Sequence, residues 1–311
     1  MKRSYTLSPV QPADHEPVAR LLHRSLVDWY EKNLRAGARF GTSHEPFLLF
    51  PQVYESLDPG EGIVARGTNG EVLGVCFVHP RETHVSVGIV ATDPEAGGSG
   101  IARAMMEAAI ARANDSGKPV RLVSSLLNLD SFSLYSRLGF VPHTFYQDLS
   151  LDVPAAGMTV PAPPGAERVR PARPDEAARL ADFEHQLQGI RREPDYAFFF
   201  RNDAGSWQTL VLEDAEGALE GFLVGSHHPA FNILGPGVAR DEAAATALLW
   251  RSLNAQPGRN MVFLLPCAAA GLIRTAYSWG ARNVELHAAQ ILGPTPQASG
   301  IVFATYLPES A

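Results

Sequence analysis

The chain has 311 residues, 45% of them hydrophobic and 19% charged, a composition that can bury a sizeable core and fits two domains of ordinary size. Its 26 basic and 33 acidic residues leave a formal net charge of −7 without any dense Lys/Arg block, which excludes nucleic acid as a first expectation for a partner. Two distant cysteines, Cys76 and Cys267, offer neither a disulfide framework nor a metal set, and no apolar run approaches the roughly 20 residues of a membrane span.

The N-terminal MKRSYTLSPV is basic but lacks an apolar signal core, so the cytoplasm is the expected compartment, with no membrane association. The first half then reads as a strand over 4–8, a helix over 13–30 and an aromatic, loop-rich segment up to Pro59. Strands follow over 62–66, 72–79 and 84–91, then a helix over 100–114 and a strand over 120–126. A short helix over 131–138 and a strand over 144–151 close this half, giving an α+β fold with mixed strand pairing and helices on both faces. The segment 153–174, rich in Pro, Ala and Gly, reads as a surface linker.

The second half echoes the first. Ser8-Pro-Val-Gln-Pro-Ala-Asp14 is matched by Arg170-Pro-Ala-Arg-Pro-Asp175, each an extended segment with an Asp where a helix begins. Glu71-Val-Leu-Gly-Val-Cys-Phe-Val-His-Pro80 is matched by Ala218-Leu-Glu-Gly-Phe-Leu-Val-Gly, a strand carrying a glycine. Val90-Ala-Thr-Asp93 is matched by Val238-Ala-Arg-Asp241, each before an Ala-rich helix. Three echoes in one order imply a duplicated domain.

The chemistry concentrates in 87–109, where a β-branched strand stops at Asp93-Pro94 and glycines at Gly97, Gly98 and Gly100 open a helix. Glycines let a backbone approach an anion, and first-turn N–H groups point at it with the favourable end of the helix dipole. The alternative is a tight connection with no ligand. No Lys-Ser/Thr follows the glycines, so a Walker A loop does not fit. Downstream lies Asn128-Leu-Asp-Ser-Phe-Ser-Leu-Tyr-Ser-Arg-Leu-Gly-Phe140.

Together, Thr92-Asp-Pro94, Gly97 through Ala102 and Asn128 through Phe140 resemble the motifs of GNAT-type N-acetyltransferases, over about 140 residues. The resemblance implies two tandem domains, each a mixed, mostly antiparallel twisted sheet flanked by helices. Residues 1–152 would bind acetyl-CoA, 153–167 would link, and 168–311 would be a degenerate copy without a cofactor site. It implies that the backbone at Val90 and Thr92 pairs with the pantetheine arm. Gly97, Gly98, Ser99, Gly100, Ile101, Ala102 and Arg103 would cradle the pyrophosphate, with Asn128 and Ser131 bonding the cofactor. Tyr135 falls on the tyrosine that donates a proton to the leaving CoA thiolate, the alternative being a core aromatic. Gly97 departs from the usual Arg or Gln.

The family's strand glutamate is also missing, which leaves His79 and His84 as candidate bases because histidine titrates in the useful range. Ser86 shares a strand face with His84, while Glu82 and Asp130 are weaker candidates. Cys76 sits in an apolar strand and reads as core. In the aromatic segment, Trp29, Tyr30, Phe40 and His44, with Arg35 and Arg39, would wall the site of an acceptor with an apolar or acidic part. The expected partner is a small-molecule amine, with a homodimer compatible. His227, His228 and His287 have no third ligand at convincing spacing, so no metal is expected.

Overall fold

The structure, a computed structural model, describes residues 4–295, 297–306 and 309–310. The chain forms two compact units. Unit one comprises the residues up to Pro80 together with Val85–Val120; unit two comprises Arg81–His84 and the residues from Arg121 on.

In unit one, β1 (Tyr5–Pro9), α1 (His15–Leu34) and α2 (Leu49–Leu57) precede β2 (Ile63–Gly67), β3 (Val72–Pro80), β4 (Val85–Thr92) and α3 (Ile101–Asp115). The four strands lie in the order β1-β2-β3-β4, all neighbours antiparallel. Helix α1 buries Val18, Ala19, Leu21 and Leu22, and α3 buries Met105, Met106 and Ala109. Gly74 of β3 explains one sequence echo: a Cβ there would lie 2.7 Å from Ile101 Cγ2, so the missing side chain lets α3 approach the sheet. Helix α1 runs four residues beyond its expected end, because nothing in Glu31–Leu34 breaks it before Arg35 turns left-handed (φ 53°). The expected loop up to Pro59 contains α2 and short helical turns over 37–40 and 45–48. Pro51 obscured α2, yet it stands in the first turn, where no N–H is needed.

Unit two holds β5 (Val120–Ser125) except its first residue, α4 (Leu129–Arg137), β6 (Val141–Asp152), β7 (Val169–Pro171), α5 (Ala177–Gln188), α6 (Glu193–Arg201), β8 (Trp207–Glu213) and β9 (Leu219–Ser226). It continues with β10 (Ile233–Leu234), β11 (Gly237–Ala239), α7 (Glu242–Asn254), β12 (Asn260–Pro266), α8 (Ala270–Ser278), β13 (Arg282–Leu292) and β14 (Ile301–Phe303). One sheet has the order β14-β11-β9-β8-β7. In another run of paired strands, β5-β13-β6-β12-β10, β6 is antiparallel to both β12 and β13. Strand β13 thus separates β5 from β6, and β6 separates β12 from β13. The last strands of the two sequence halves are interleaved.

The echoes reappear as geometry. Like β1, β2, β3 and β4, the strands β7, β8, β9 and β11 form a run of antiparallel neighbours. Gly221 of β9 does for Leu248 of α7 what Gly74 does for α3. Gly139 (φ 94°) and Gly280 (φ 98°) terminate α4 and α8 alike, each followed by an N–H that returns to Tyr135 O or Ala276 O. The segment 153–168 is pinned at several points: Val153 and Ala166 are buried in the core with Leu249 and Phe263, and Met158 N donates to Asn254 Oδ1.

Of the charged run before α6, Arg191 is partly exposed, whereas Arg192 is buried and paired with Glu184 at 2.8 Å. Tyr196 Oη donates to the same carboxylate at 2.6 Å. Asp195 is buried against Arg81 at 2.5 Å. A broken pair at this depth is costly, so these groups fix how α5 and α6 pack. No helix among the described residues is long and apolar enough to cross a membrane.

Candidate functional site

In unit one the site is built by the passage from β4 into α3. Asp93 ends the strand, accepting from Glu95 N at 2.8 Å and from Arg24 at 2.5 Å. The chain then turns through Gly98 (φ 73°) and Gly100 (φ 81°), a conformation that side chains resist. A Cβ at either glycine would meet nothing within 4 Å, and Gly97 faces only Pro94 O at 3.4 Å. Gly100, the N-cap of α3, has no side chain with which to bond the first-turn N–H groups. Those groups of Ile101, Ala102 and Arg103 lack intrahelical partners by geometry, and they form the positive end of the helix dipole. The space, the bare N–H groups and the backbone fit a pyrophosphate. Arg103 donates to Glu107 at 2.8 Å, so its side chain lies along the helix, and Tyr5 Oη reaches Gly100 O at 3.4 Å.

Strand β4 also carries a bulge. Cys76 pairs with Val90 and Val78 with Val87, so Gly88 and Ile89 together oppose Phe77. A bulge leaves backbone groups outside the ladder and redirects side chains. Val90 and Thr92 lie just beyond it and are only partly buried. Across the ladder stands His79, 2% exposed, with Nδ1 2.5 Å from Asp58 Oδ2. Tyr54 stacks on both His79 and Phe77, with centroids 4.8 and 4.3 Å away. Cys76 is core: burial pushes its thiol up to about 12. Ser86 is buried on β4 opposite His79.

Of the residues expected to wall an acceptor site, Trp29, Tyr30, Phe40 and Arg39 are in contact with one another. Trp29 meets Tyr30 at 5.0 Å, Tyr30 meets Phe40 at 4.9 Å, and the Arg39 guanidinium lies 4.8 Å over the Tyr30 ring. His44 bonds Glu16 at 2.6 Å, and that bond, followed by the one from Arg20, holds the Glu16 carboxyl below its ordinary range. Arg35 is the left-handed cap of α1.

Unit two carries the other predicted residues. His84 is buried with Nδ1 3.0 Å from Thr83 Oγ1, and Glu82 pairs with Arg191 at 2.9 Å. Asn128 caps α4, its Oδ1 accepting from Ser131 N at 3.1 Å, which leaves its amide N–H groups for other use. Asp130 is an exposed first-turn acid of α4. Tyr135 is buried near the end of that helix, edge-on to Phe140 at 6.0 Å. His287 bonds Asp148 at 2.9 Å, and burial beside Arg259 lowers His227 and His228. Among the described residues no three His, Cys, Asp or Glu could hold a metal ion. Sequence reasoning missed Asp58 and Tyr54, for the turn around Asp58 reads only as a loop.

Residues 23–140 match the model of the acetyltransferase (GNAT) family. No curated protein sequence matches significantly. Among solved structures, a Pyrococcus horikoshii protein assigned to the acetyltransferases superposes with a TM-score of 0.74 at 13% identity, covering 98% of this chain and 94% of that one. A GCN5-related N-acetyltransferase from Sphaerobacter thermophilus gives 0.64 at 16% identity, covering 95% and 97%. A tandem GNAT protein from the clavulanic acid biosynthesis pathway gives 0.61 at 18%, covering 94% and 100%. At these identities the likeness concerns the fold, and that fold is the tandem one.

Proposed function

We propose, from the match of residues 23–140 to the model of the acetyltransferase (GNAT) family, that the chain transfers the acetyl group of acetyl-CoA directly to the amine of a small molecule. The uncapped α3 N-terminus behind Gly98 and Gly100 carries this reading, since it offers an anion bare N–H groups and open space. In the proposal, the N–H groups from Gly98 to Arg103 hold the pyrophosphate, with Gly97 and Ser99 shaping the turn. The backbone of Val90 and Thr92 pairs with the pantetheine arm, and Asn128 and Ser131 bond the cofactor. The amine attacks the thioester carbon, a base takes its proton, and Tyr135 protonates the departing sulfur. His79 and His84 are the proposed bases, and Trp29, Tyr30 and Phe40 line the acceptor side. The catalytic copy is proposed as 1–152, linked by 153–167 to a copy over 168–311 without a cofactor site.

A calorimetric titration of the full chain with acetyl-CoA tests the reading, with one site per chain expected. Thiol release is then followed with n-butylamine, tyramine, glutamate and a short peptide as acceptors. Tyr135→Phe is expected to keep acetyl-CoA affinity and lose about 100-fold in kcat, the lower end of what a positioned proton donor contributes. No binding at millimolar acetyl-CoA would sink the proposal.

A further inference from the structure

His79 is held in a setting that a core histidine does not need. Helix α2 ends with Tyr54 and Asp58 one turn apart, Asp58 being its C-cap. Tyr54 stacks on the imidazole face, while Asp58 binds Nδ1 at 2.5 Å. An ionised carboxylate only accepts hydrogen bonds, so the proton sits on Nδ1 and the Nε2 lone pair is left as an acceptor. That Nε2 is buried with no hydrogen-bond partner among the described residues. Leaving a buried acceptor unmatched is costly, and such an orphan calls for an explanation.

The surroundings supply one. The orphan belongs to the residue opposite Ser86, beside the β4 bulge at Gly88 and Ile89. Gly88 is part of the same arrangement: a Cβ there would lie 3.0 Å from Tyr54 Oη, so its absence lets the ring that covers His79 rest against β4. The other candidate, His84, has its Nδ1 against a threonine hydroxyl, a partner that can donate or accept and so leaves the tautomer open.

We propose that Asp58 and His79 form a base dyad, with His79 Nε2 as the proton acceptor and Asp58 as the positioning residue that fixes its tautomer. The inference rests on the transferase reading above. The acceptor nitrogen bonds to the thioester carbonyl carbon and its proton passes to Nε2. The C–S bond breaks, and the sulfur leaves as a thiolate that takes a proton from the general acid. Before the next turnover His79 returns its proton to solvent and the general acid takes one back, so the cycle is proton-neutral. The acceptor's N–H supplies the hydrogen bond that Nε2 lacks.

The test uses the full chain labelled with ¹⁵N-histidine. Two-bond ¹H–¹⁵N spectra are expected to show His79 protonated on Nδ1 in the wild type and a mixture of tautomers in Asp58→Asn. A wild-type proton on Nε2 would overturn the dyad. Thiol release with the same four acceptors gives the second readout. Both His79→Gln and Asp58→Asn are expected to lower kcat by about 100-fold, with the double variant losing little more. Acetyl-CoA affinity by calorimetry should stay within about twofold, which separates lost chemistry from a lost fold. Turnover in the wild type with unchanged kcat in both variants overturns the dyad alone. Failure of the wild type to bind acetyl-CoA, or to release thiol with any acceptor, overturns the transferase reading and the dyad with it.

Discussion

The turn between β4 and α3 and the turn between β11 and α7 occupy the same place in the two sequence copies, and they are finished in opposite ways. In the first, Gly98 and Gly100 carry the chain through positive φ and leave the helix start bare. In the second, Asp241 takes the N-cap position and its carboxylate accepts from Ala244 N at 2.8 Å. Glu242 adds a second carboxylate, which accepts from Leu272 N at 2.7 Å. One helix start has no capping side chain; the other has the N–H of Ala244 taken by its own cap and carries two carboxylates, which oppose a phosphate there. Strand β11, before the second turn, pairs with β14 through Gly237–Phe303, Val238–Val302 and Ala239–Ile301. In the same spirit, Ala276 has the backbone setting of Tyr135 and no hydroxyl.

The largest effect should come from unseating β14. Phe303 is fully buried in the core with Leu223, Leu248 and Phe263. Phe303→Ala is expected to cost about 3–5 kcal/mol, read from the urea unfolding midpoint. A cost under about 1 kcal/mol would mean that β14 is not an integral neighbour of β11. Next in size, Gly100→Asp puts a side chain at φ 81° and a negative charge on the bare turn. It should weaken acetyl-CoA by about 100-fold, or about 2.7 kcal/mol, whereas Arg240→Asp at the second turn should leave the affinity unchanged. Equal losses from the two would break the comparison.

A smaller contrast lies where each copy enters its first helix. Asp14 accepts from Gln11 N at 2.8 Å and from Arg66 at 2.5 Å. In the second copy the matching group is Glu176, which accepts from Arg173 N at 2.7 Å and pairs with Arg170 and Arg179, while Asp175 points outward. The Arg170 guanidinium holds both Glu176 and Glu213 down to about 2, against an ordinary value of 4.5. Because the folded value is the lower one, this stabilisation is present above about pH 4.5 and is lost as pH falls toward 2. Glu176→Gln is expected to cost about 2 kcal/mol at pH 7 and almost nothing near pH 2, measured by thermal unfolding across that range. A constant difference at all pH values would show that packing, and not charge, holds this corner.

The residues that were legible in the sequence are those whose role is local. Gly98 and Gly100 serve the turn in which they stand, so spacing along the chain exposes them, whereas the cap that Asn128 makes on α4 was not read from the sequence. Asp58 is different. It meets His79 only because α2 lies over β3, and 21 residues separate the two. The insertion of β13 between β5 and β6 was equally hidden, since alternating apolar residues mark a strand but not its partner. The helix-entry echo was seen one residue out of register: Asp175 continues the visible pattern, but geometry selects Glu176, the third residue of the short turn. The Arg192–Glu184 pair was likewise hidden, because only the fold buries both ends together.

The smallest prediction bears most directly on why the two turns differ. Asp241 is an N-cap of ordinary kind, so Asp241→Ala should cost about 1 kcal/mol in unfolding free energy. Its effect on ligand stoichiometry is the sharper readout. With the cap removed, the N–H of Ala244 is free again, yet Glu242 still accepts from Leu272 N and β14 still pairs with β11. Three features close the second turn, and the variant removes one, so calorimetry should still find a single acetyl-CoA site per chain. A second site in Asp241→Ala would show that one carboxylate alone separates a ligand-binding turn from a self-capped one. Stoichiometry unchanged in this variant and in Asp241→Ala combined with Glu242→Gln would instead assign the difference to the missing glycines.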